Sequence, residues 1–134
     1  MPDWLTSYGR VNVEVKGEVE DAWDFMSSHG TMIVPLFSGS GVRIKIVEAM
    51  LAGRAVISTS KGAQGLGCRD GENIMIADTR DDFVSAISHC LADPAYAMRL
   101  GVNARSFILK EHNNTLVIEK LKRYYQKLMA TQAS

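Results

Sequence analysis

The stretch VPLFSGSGVRIKIVEAMLAGRAVIST, residues 34–59, decides the fold. It begins as an apolar run, passes through the small residues SGSG at 38–41, and continues with apolar residues three and four positions apart. That spacing predicts a helix over residues 42–52, which Gly53 is placed to end. The apolar run RAVIST at 54–59 predicts a buried strand directly afterwards. The stretch therefore predicts a strand–loop–helix–strand unit.

Further strand and helix patterns alternate along the rest of the chain. VNVEV at 11–15 alternates apolar and polar residues, while TMIVPLF at 31–37 and NIMIA at 73–77 are short apolar runs. Each of these patterns is typical of a β-strand. The alternation predicts an α/β fold with a largely parallel sheet in a single domain, residues 1–134. The helical patterns cover residues 18–30, 82–92, 94–110 and 113–129.

Local signals also predict where two helices begin. Thr79 and Asp82 have the spacing of a capping box, in which each side chain accepts a hydrogen bond from the backbone N–H of the other residue. Asp93 precedes Pro94, a pair typical of an N-cap followed by the first helical residue. We therefore expect helices to start directly after Thr79 and after Asp93.

Composition and charge exclude several classes of protein. The 134 residues carry 15 basic and 15 acidic side chains, so no net charge attracts nucleic acid or acidic lipid. The apolar runs are shorter than the roughly 20 residues that span a bilayer, and no signal-peptide pattern opens the chain. The histidines are scattered, and Cys68 and Cys90 have no metal-binding spacing. We therefore expect no metal site and a reducing, cytoplasmic environment.

The SGSG segment suits the binding of an anion. Glycine lets the backbone approach a ligand closely, and the free N–H groups of a helix N-terminus favour phosphate. Arg43 and Lys45 would add positively charged donors. The segment does not match the dinucleotide fingerprint, which needs a third glycine at the position of Ile44, and it does not match the P-loop pattern. An ordinary turn with a capping serine is the alternative.

Polar residues also interrupt the helix that follows. A helical wheel places Lys45 and Glu48 together, opposite an apolar arc, where a solvated ion pair is the simplest interpretation. Arg43 projects into the apolar arc and, in the first turn, avoids burial only by pointing past the strand ends. We expect its guanidinium to reach a ligand crevice there, because parallel sheets bind ligands at the carboxyl ends of their strands.

These motifs, taken together, resemble the C-terminal, donor-binding domain of glycosyltransferase family 4, the group 1 transferases. The resemblance rests on GEVED before a helix, the helix start GSG-x-R-x-K-x-x-EA, and the strand AVIST after a glycine. The loop residues GAQGL, the segment GEN with a later AD, and the helix ARSFILKEH follow in the family's order. The similarity covers about residues 11–127.

The resemblance implies a fold and an activity. The fold is a Rossmann-like three-layer parallel sheet, the C-terminal half of a GT-B fold. In that family two domains enclose a nucleoside-diphosphate sugar, and the enzyme transfers the sugar to an acceptor, usually with retention of configuration. We therefore expect the parent protein to be a hexosyltransferase-type glycosyltransferase of carbohydrate or polysaccharide biosynthesis, cytoplasmic or peripheral to the membrane.

The resemblance also implies roles for individual residues. Glu48 matches the second glutamate of the family's Glu-x7-Glu pair and is expected to accept hydrogen bonds from ribose hydroxyls. The first glutamate falls at Ser40, so the carboxylate that usually lies near the donor sugar is missing. Lys45 and Arg43 are candidates for diphosphate or sugar contact. No catalytic residue is assigned and no metal or other cofactor is expected; the predicted substrate-binding residues are Gly39, Ser40, Gly41, Arg43, Lys45, Glu48 and Thr59.

The family domain opens with a strand–helix–strand unit that this chain is expected to lack. The ten residues before Val11 cannot hold such a unit, which takes roughly 30 residues. We therefore expect a partial domain, without the N-terminal acceptor-binding domain and inactive alone. Its exposed sheet edge is expected to favour a homo-oligomer. Two alternatives stay open: a non-catalytic remnant that binds a nucleotide or a protein partner, and an unrelated α/β nucleotide-binding module.

Overall fold

The computed structural model describes residues 4, 10–39, 43–111 and 115–132, and the side chains of residues 43 and 115–120 lie outside that set. The elements in chain order are α1 (Ala22–Ser27), β1 (Thr31–Val34), α2 (Arg43–Leu51), β2 (Ala55–Ser58), α3 (Ser60–Ala63), β3 (Met75–Ile76), α4 (Arg80–Ala92), α5 (Pro94–Glu111) and α6 (Thr115–Gln132).

The described strands form one parallel sheet in the order β1-β2-β3. Thr31 pairs with Ala55 at one end of the first ladder, and Val34 pairs with Ser58 at the other. In the second ladder Ser58 pairs with Ile76. Because all strands run in the same direction, their carboxyl ends meet at one edge of the domain. This confirms the predicted parallel α/β sheet.

The side chains of β2 alternate between two cores, one on each face of the sheet. Val56 is fully buried with residues of α2 and α5, among them Met50 and Ile108. Ile57 points to the opposite face and is buried with Phe83 and other residues of α4. Both faces of β2 are therefore covered, which explains its continuous apolar sequence. The arrangement of helices, sheet and helix confirms the predicted three layers.

Helix α5 lies directly against the turn that ends α2. Gly53 has a φ of +71°, the conformation expected of the glycine that stops a helix. A Cβ atom added to Gly101 of α5 would lie 2.1 Å from the carbonyl oxygen of Gly53. Only a glycine allows this approach, so α5 fixes the position of α2 by packing against its backbone.

Both predicted helix starts are confirmed. The Asp82 N–H donates to Thr79 Oγ1 at 3.1 Å, and the Thr79 N–H donates to Asp82 Oδ2 at 3.0 Å. At the start of α5, Asp93 Oδ1 accepts a hydrogen bond from the N–H of Tyr96 at 3.0 Å. These local capping interactions need no tertiary contact, which is why the sequence predicted them.

Some local predictions were wrong. No strand forms over residues 11–15; an isolated bridge joins Arg10 to Val13, and Val11 is fully exposed. A strand requires a hydrogen-bonded neighbour, and no described strand lies beside this segment. The strand predicted at 73–77 is shorter, at Met75–Ile76, and the short helix α3 was not predicted. In the described part of the chain, no helix is both long and apolar enough to cross a membrane.

Candidate functional site

Thr59 ties together the two loops that leave β1 and β2. Its hydroxyl donates a hydrogen bond to the carbonyl of Leu36 and accepts one from the N–H of Gly62 at 3.1 Å. The Thr59 N–H also donates to the Val34 carbonyl at 3.4 Å. The side chain is 1% exposed and serves as the N-cap of α3. Thr59 therefore joins the beginning of the loop after β1, at Leu36, to the end of β2.

Asp78, which follows β3, is hydrogen-bonded to Ser60, which follows β2. Its Oδ1 accepts the Ser60 N–H at 2.8 Å, and its Oδ2 accepts the Ser60 hydroxyl at 2.5 Å. The Ala77 N–H donates to the Ser58 carbonyl at 2.9 Å. We call residues 34–36, 58–60 and 76–78 the strand-end edge. The sequence analysis included Asp78 in the AD motif but gave it no structural role, although its place directly after the NIMIA run could have indicated one.

The loop from β1 to α2 leaves the strand-end edge and carries the predicted glycines. Gly39 has a φ of +95°, a conformation that side chains with a Cβ rarely adopt. Ser40 and Gly41 lie outside the described residues, and so does the side chain of Arg43, whose backbone begins α2. Lys45 lies in the first turn of α2 and is exposed to solvent.

Glu48 is buried, one turn after Lys45. The residue is 7% exposed and makes no hydrogen bond or ion pair with any part of the chain that the structure describes. Burial raises the pKa of its carboxyl group, and the positive charge of Lys45 opposes part of that rise. The predicted solvated ion pair was therefore wrong. The helical wheel missed the burial because residues of α1, α5 and α6 surround this flank of α2 as well.

The Glu48 side chain faces a hollow of about 780 Å³ between α1, α2, α5 and α6, which we call the α6 hollow. A neighbouring hollow of about 450 Å³ lies between residues 19–23 and α6, and Glu48 lines both. The walls are mostly apolar, with two cationic residues among them. The α6 hollow is lined by Trp23, Val47, Glu48, Leu51, Arg105, Ile108, Leu109, Leu121, Lys122, Tyr125, Gln126 and Met129.

The predicted site residues thus fall into two groups. Thr59 belongs to the strand-end edge, and Gly39 lies on the loop that leaves it. Glu48 lies in the α6 hollow, on the flank of α2. Lys45 lies one helical turn before Glu48 and is free to reach solvent. Helix α2 is the element that links the two groups.

Two carboxylates in the loop between α3 and β3, residues 64–74, stabilise that loop itself. Asp70 Oδ1 accepts the N–H of Ile76 at 2.8 Å. Glu72 lies 3.6 Å from Arg69 in an exposed ion pair. Among the described residues, no group of three or more His, Cys, Asp or Glu side chains is placed to hold a metal ion. We assign neither carboxylate to a ligand site.

Comparisons with known proteins agree with this fold. A family model described as "Glycosyl transferases group 1" matches residues 2–93. The "Uncharacterized 44.6 kDa protein in cps region" of Klebsiella pneumoniae is 30% identical over 89 residues, which are 66% of this chain and 23% of that protein. This chain therefore spans about a quarter of the length of that relative.

A solved structure has a similar fold. The C-terminal domain of a glycosyl transferase group 1 family protein (LpcC) from Francisella tularensis matches with a TM-score of 0.61 and 19% sequence identity. The match covers 72% of this chain and 52% of that domain. It supports the expected α/β fold of a C-terminal glycosyltransferase domain.

Proposed function

The chain belongs to the family of group 1 glycosyl transferases, and from that membership we propose that it is the donor-binding part of a retaining glycosyltransferase. The substrate of this part is a nucleoside-diphosphate sugar. The parent protein transfers the sugar to an acceptor that an N-terminal domain binds. In this proposal transfer requires that N-terminal domain, because the acceptor binds there.

The proposal rests on the strand-end edge, whose segments are joined by the hydrogen bonds of Thr59 and Asp78. Thr59 fixes the loop after β1 through the carbonyl of Leu36, and Gly39 continues that loop in a left-handed conformation. The loop ends at the N-terminus of α2, where free N–H groups favour an anion. A loop held at Leu36 and a helix start at the carboxyl ends of parallel strands suit the binding of a phosphate group.

Each predicted residue has a role in this proposal. Lys45, exposed in the first turn of α2, contacts the diphosphate, as do the backbone N–H groups around Gly39. Arg43, Ser40 and Gly41 belong to the same segment and share that role as proposals. Thr59 acts by holding the loop, since its hydroxyl already has two partners.

In the same proposal, Glu48 binds the nucleoside part of the ligand. The residue is 7% exposed and lines the α6 hollow, and the ribose hydroxyls donate hydrogen bonds to its carboxylate. Hydrogen bonds to a charged acceptor are stronger where water is partly excluded.

The chemistry that such a site supports is electrostatic. As the nucleoside diphosphate leaves, negative charge develops on its oxygen and the sugar gains oxocarbenium character. Oriented N–H groups and the Lys45 ammonium stabilise that developing charge. No side chain of this chain is proposed as a nucleophile or a general base.

Calorimetric titration of the full chain with inorganic pyrophosphate and with uridine, guanosine and adenosine diphosphates tests the proposal. We expect Lys45→Ala to weaken pyrophosphate binding about fivefold. Lys127→Ala is the matched control, because it removes the same charge from the exposed face of α6 and lines neither hollow. Equal losses in both variants would show a non-specific charge effect and contradict the role of Lys45.

The Glu48→Gln variant tests nucleoside binding separately from diphosphate binding. The variant keeps the size of the side chain but replaces one acceptor oxygen with a donor. We expect it to weaken binding of the preferred nucleoside diphosphate and to leave pyrophosphate binding unchanged. Unchanged affinity for every nucleotide would remove Glu48 from the proposed site.

We also propose that the free edge of β1 pairs with a second copy of the chain. Among the described strands, β1 has only β2 as a neighbour, and the large apolar side chain of Ile33 in β1 is exposed. An uncovered apolar edge strand favours edge-to-edge pairing. Light scattering after size-exclusion chromatography is expected to show a dimer, and Ile33→Lys to shift it towards monomer. A monomer at all concentrations would refute this.

A further inference from the structure

Two hollows adjoin along α5, beside the loop that leads to β3. One, of about 490 Å³, lies between that loop and the C-terminal half of α5, and the other, of about 470 Å³, lies towards the start of α5. Glu72 and Asn103 line both hollows. We call the two together the α5 groove, with residues 67–73 as its rim and residues 95–111 as its floor. Each volume is within the range of about 300–1,000 Å³ common for ligand sites.

Hydrogen bonds hold the rim of the groove in place. The side-chain amide of Asn103, on the floor, donates to the carbonyl of Glu72 at 3.0 Å. Within the rim, the N–H of Arg69 donates at 2.8 Å to Oδ1 of Asn73, which is 4% exposed. The rim is therefore already ordered without a ligand, and a ligand that binds there does not have to order the loop first.

The floor of the groove carries a row of polar side chains. Arg99, Asn103, Ser106 and Lys110 recur four, three and four positions apart along α5, and all of them are exposed. This spacing places them on one face of the helix. At a rise of about 1.5 Å per residue, the row is about 16 Å long. It offers hydrogen-bond donors and acceptors to an extended ligand.

Apolar surface lies beside this row. Phe107 is partly buried and lines the larger hollow, and the exposed side chains of Met98 and Val102 line the smaller one. A ligand that fits both kinds of surface has hydrogen-bonding groups as well as apolar faces. Sugar rings have this character, because their hydroxyls lie along the edges and their C–H groups form faces that pack against aromatic rings.

The charges of the larger hollow disfavour a polyanion such as nucleic acid. Arg69 and Lys110 line it together with Glu72 and Glu111. The Glu72 carboxylate lies 3.6 Å from the Arg69 guanidinium. The two positive charges are therefore offset by two negative ones, and little net attraction for phosphate groups remains. The charged and polar floor also disfavours the apolar centre of a protein interface.

We propose that the α5 groove binds a segment of a neutral glycan chain. Arg69, Asn103 and Ser106 hydrogen-bond to its hydroxyls, and Phe107 packs against a ring face. The length of the row suits several linked sugar units rather than a single sugar. The site is separate from the strand-end edge, because the rim precedes β3 and that edge follows it. This inference goes beyond the proposed function and does not depend on donor binding.

Amide shifts of the ¹⁵N-labelled full chain test the inference. The probes are linear neutral hexasaccharides of glucose, of galactose and of mannose, and the three monosaccharides. We expect saturable shifts at Arg69, Asn103 and Ser106 with at least one hexasaccharide, and no shifts at Gly39 and Lys45. A chain contacts more of the groove than one sugar does, so the hexasaccharide should bind at least tenfold more tightly than its monosaccharide.

Two substitutions with matched controls show which residues make the contacts. Arg69→Ala and Asn103→Ala should each weaken hexasaccharide binding about fivefold, the loss expected for about one hydrogen bond. Arg80→Ala and Arg105→Ala remove exposed arginines of α4 and α5 that do not line the groove, and should leave binding unchanged. Arg69→Ala keeps the backbone N–H that bonds to Asn73, so the rim is retained. Circular dichroism checks the fold of each variant.

The other outcomes overturn the inference. They are the absence of saturable shifts with every hexasaccharide, shifts confined to Gly39 and Lys45, and equal losses in the control variants. Tighter binding of a uridine hexanucleotide than of any hexasaccharide at the same residues would show a surface for polyanions instead. A separate titration with uridine diphosphate tests the proposed function. If the diphosphate binds and the hexasaccharides do not, only the glycan site is refuted; the reverse result refutes only the donor site.

Discussion

Replacing Thr59 with valine tests how the strand-end edge is held. Valine has nearly the shape of threonine but lacks the hydroxyl, which donates to the Leu36 carbonyl and accepts the Gly62 N–H. Both backbone groups would lose their partner at a position where the side chain is 1% exposed. The substitution therefore isolates the hydrogen bonds from the packing.

The expected magnitude follows from these two groups. A buried polar group left without a partner costs about 1–3 kcal/mol, so two such groups cost about 2–6 kcal/mol. Leu36 is only partly buried, and its carbonyl can regain some hydration, which places the total near 2–4 kcal/mol. At roughly 4 °C per kcal/mol for a domain of this size, Tm falls by about 8–16 °C.

Urea unfolding followed by circular dichroism measures the free energy of unfolding. With an m-value of about 2 kcal/mol/M, the midpoint is expected to fall by about 1–2 M. Thr59→Ser is the control, because serine keeps the hydroxyl and loses one methyl group at a cost of about 1 kcal/mol. If the valine variant were as stable as the serine variant, the hydroxyl would not be what holds the loop.

Three further predictions concern other parts of the chain. Gly101→Ala should lower the free energy of unfolding by about 1–3 kcal/mol, because its Cβ would overlap the backbone of the turn after α2. Gly30→Ala is the control: a Cβ there would have nothing within 4 Å, so the free energy of unfolding should change by less than about 1 kcal/mol. Equal urea midpoints for the two variants would contradict the close packing at Gly101. The Thr79 side chain and nearby backbone N–H groups hold the pKa of Asp82 below its usual value, so Asp82 contributes stability at neutral pH that is lost as the pH falls through that lowered pKa. Asp82→Asn should therefore be less stable than the unchanged chain at pH 7 and equal to it near pH 2, and thermal melts with a constant difference across that range would contradict this. Burial raises the pKa of Cys68 to about 11. At pH 7.5, iodoacetamide should therefore label this thiol at least tenfold more slowly in the folded chain than in urea. Equal labelling rates, measured by mass spectrometry, would show that the thiol is not shielded.

The sequence predicted those elements whose signals are local or continuous. The capping boundary at Thr79 depends on residues three positions apart, and β2 is apolar because both of its faces are covered. The segment at 11–15 shows the limit of such signals. Its alternating pattern is that of a strand, but strand formation depends on a neighbour, and none of the described strands provides one.

The candidate site shows the same distinction. The position of Gly39 in a loop at the strand ends followed from the order of elements. The burial of Glu48 did not, because residues of several helices surround this flank of α2. A helical wheel describes one helix and one facing surface. It cannot show which distant helices lie around the other side.

The central claim is that the loop and helix starts at the strand-end edge bind the diphosphate of a nucleotide. Backbone amide shifts of the ¹⁵N-labelled chain during titration with uridine diphosphate test it most directly. We predict that the largest saturable shifts occur at Gly39 and Lys45. Shifts confined to the opposite end of the sheet, around Gly30 and Ala97, or no saturable shift with any nucleoside diphosphate, would contradict it.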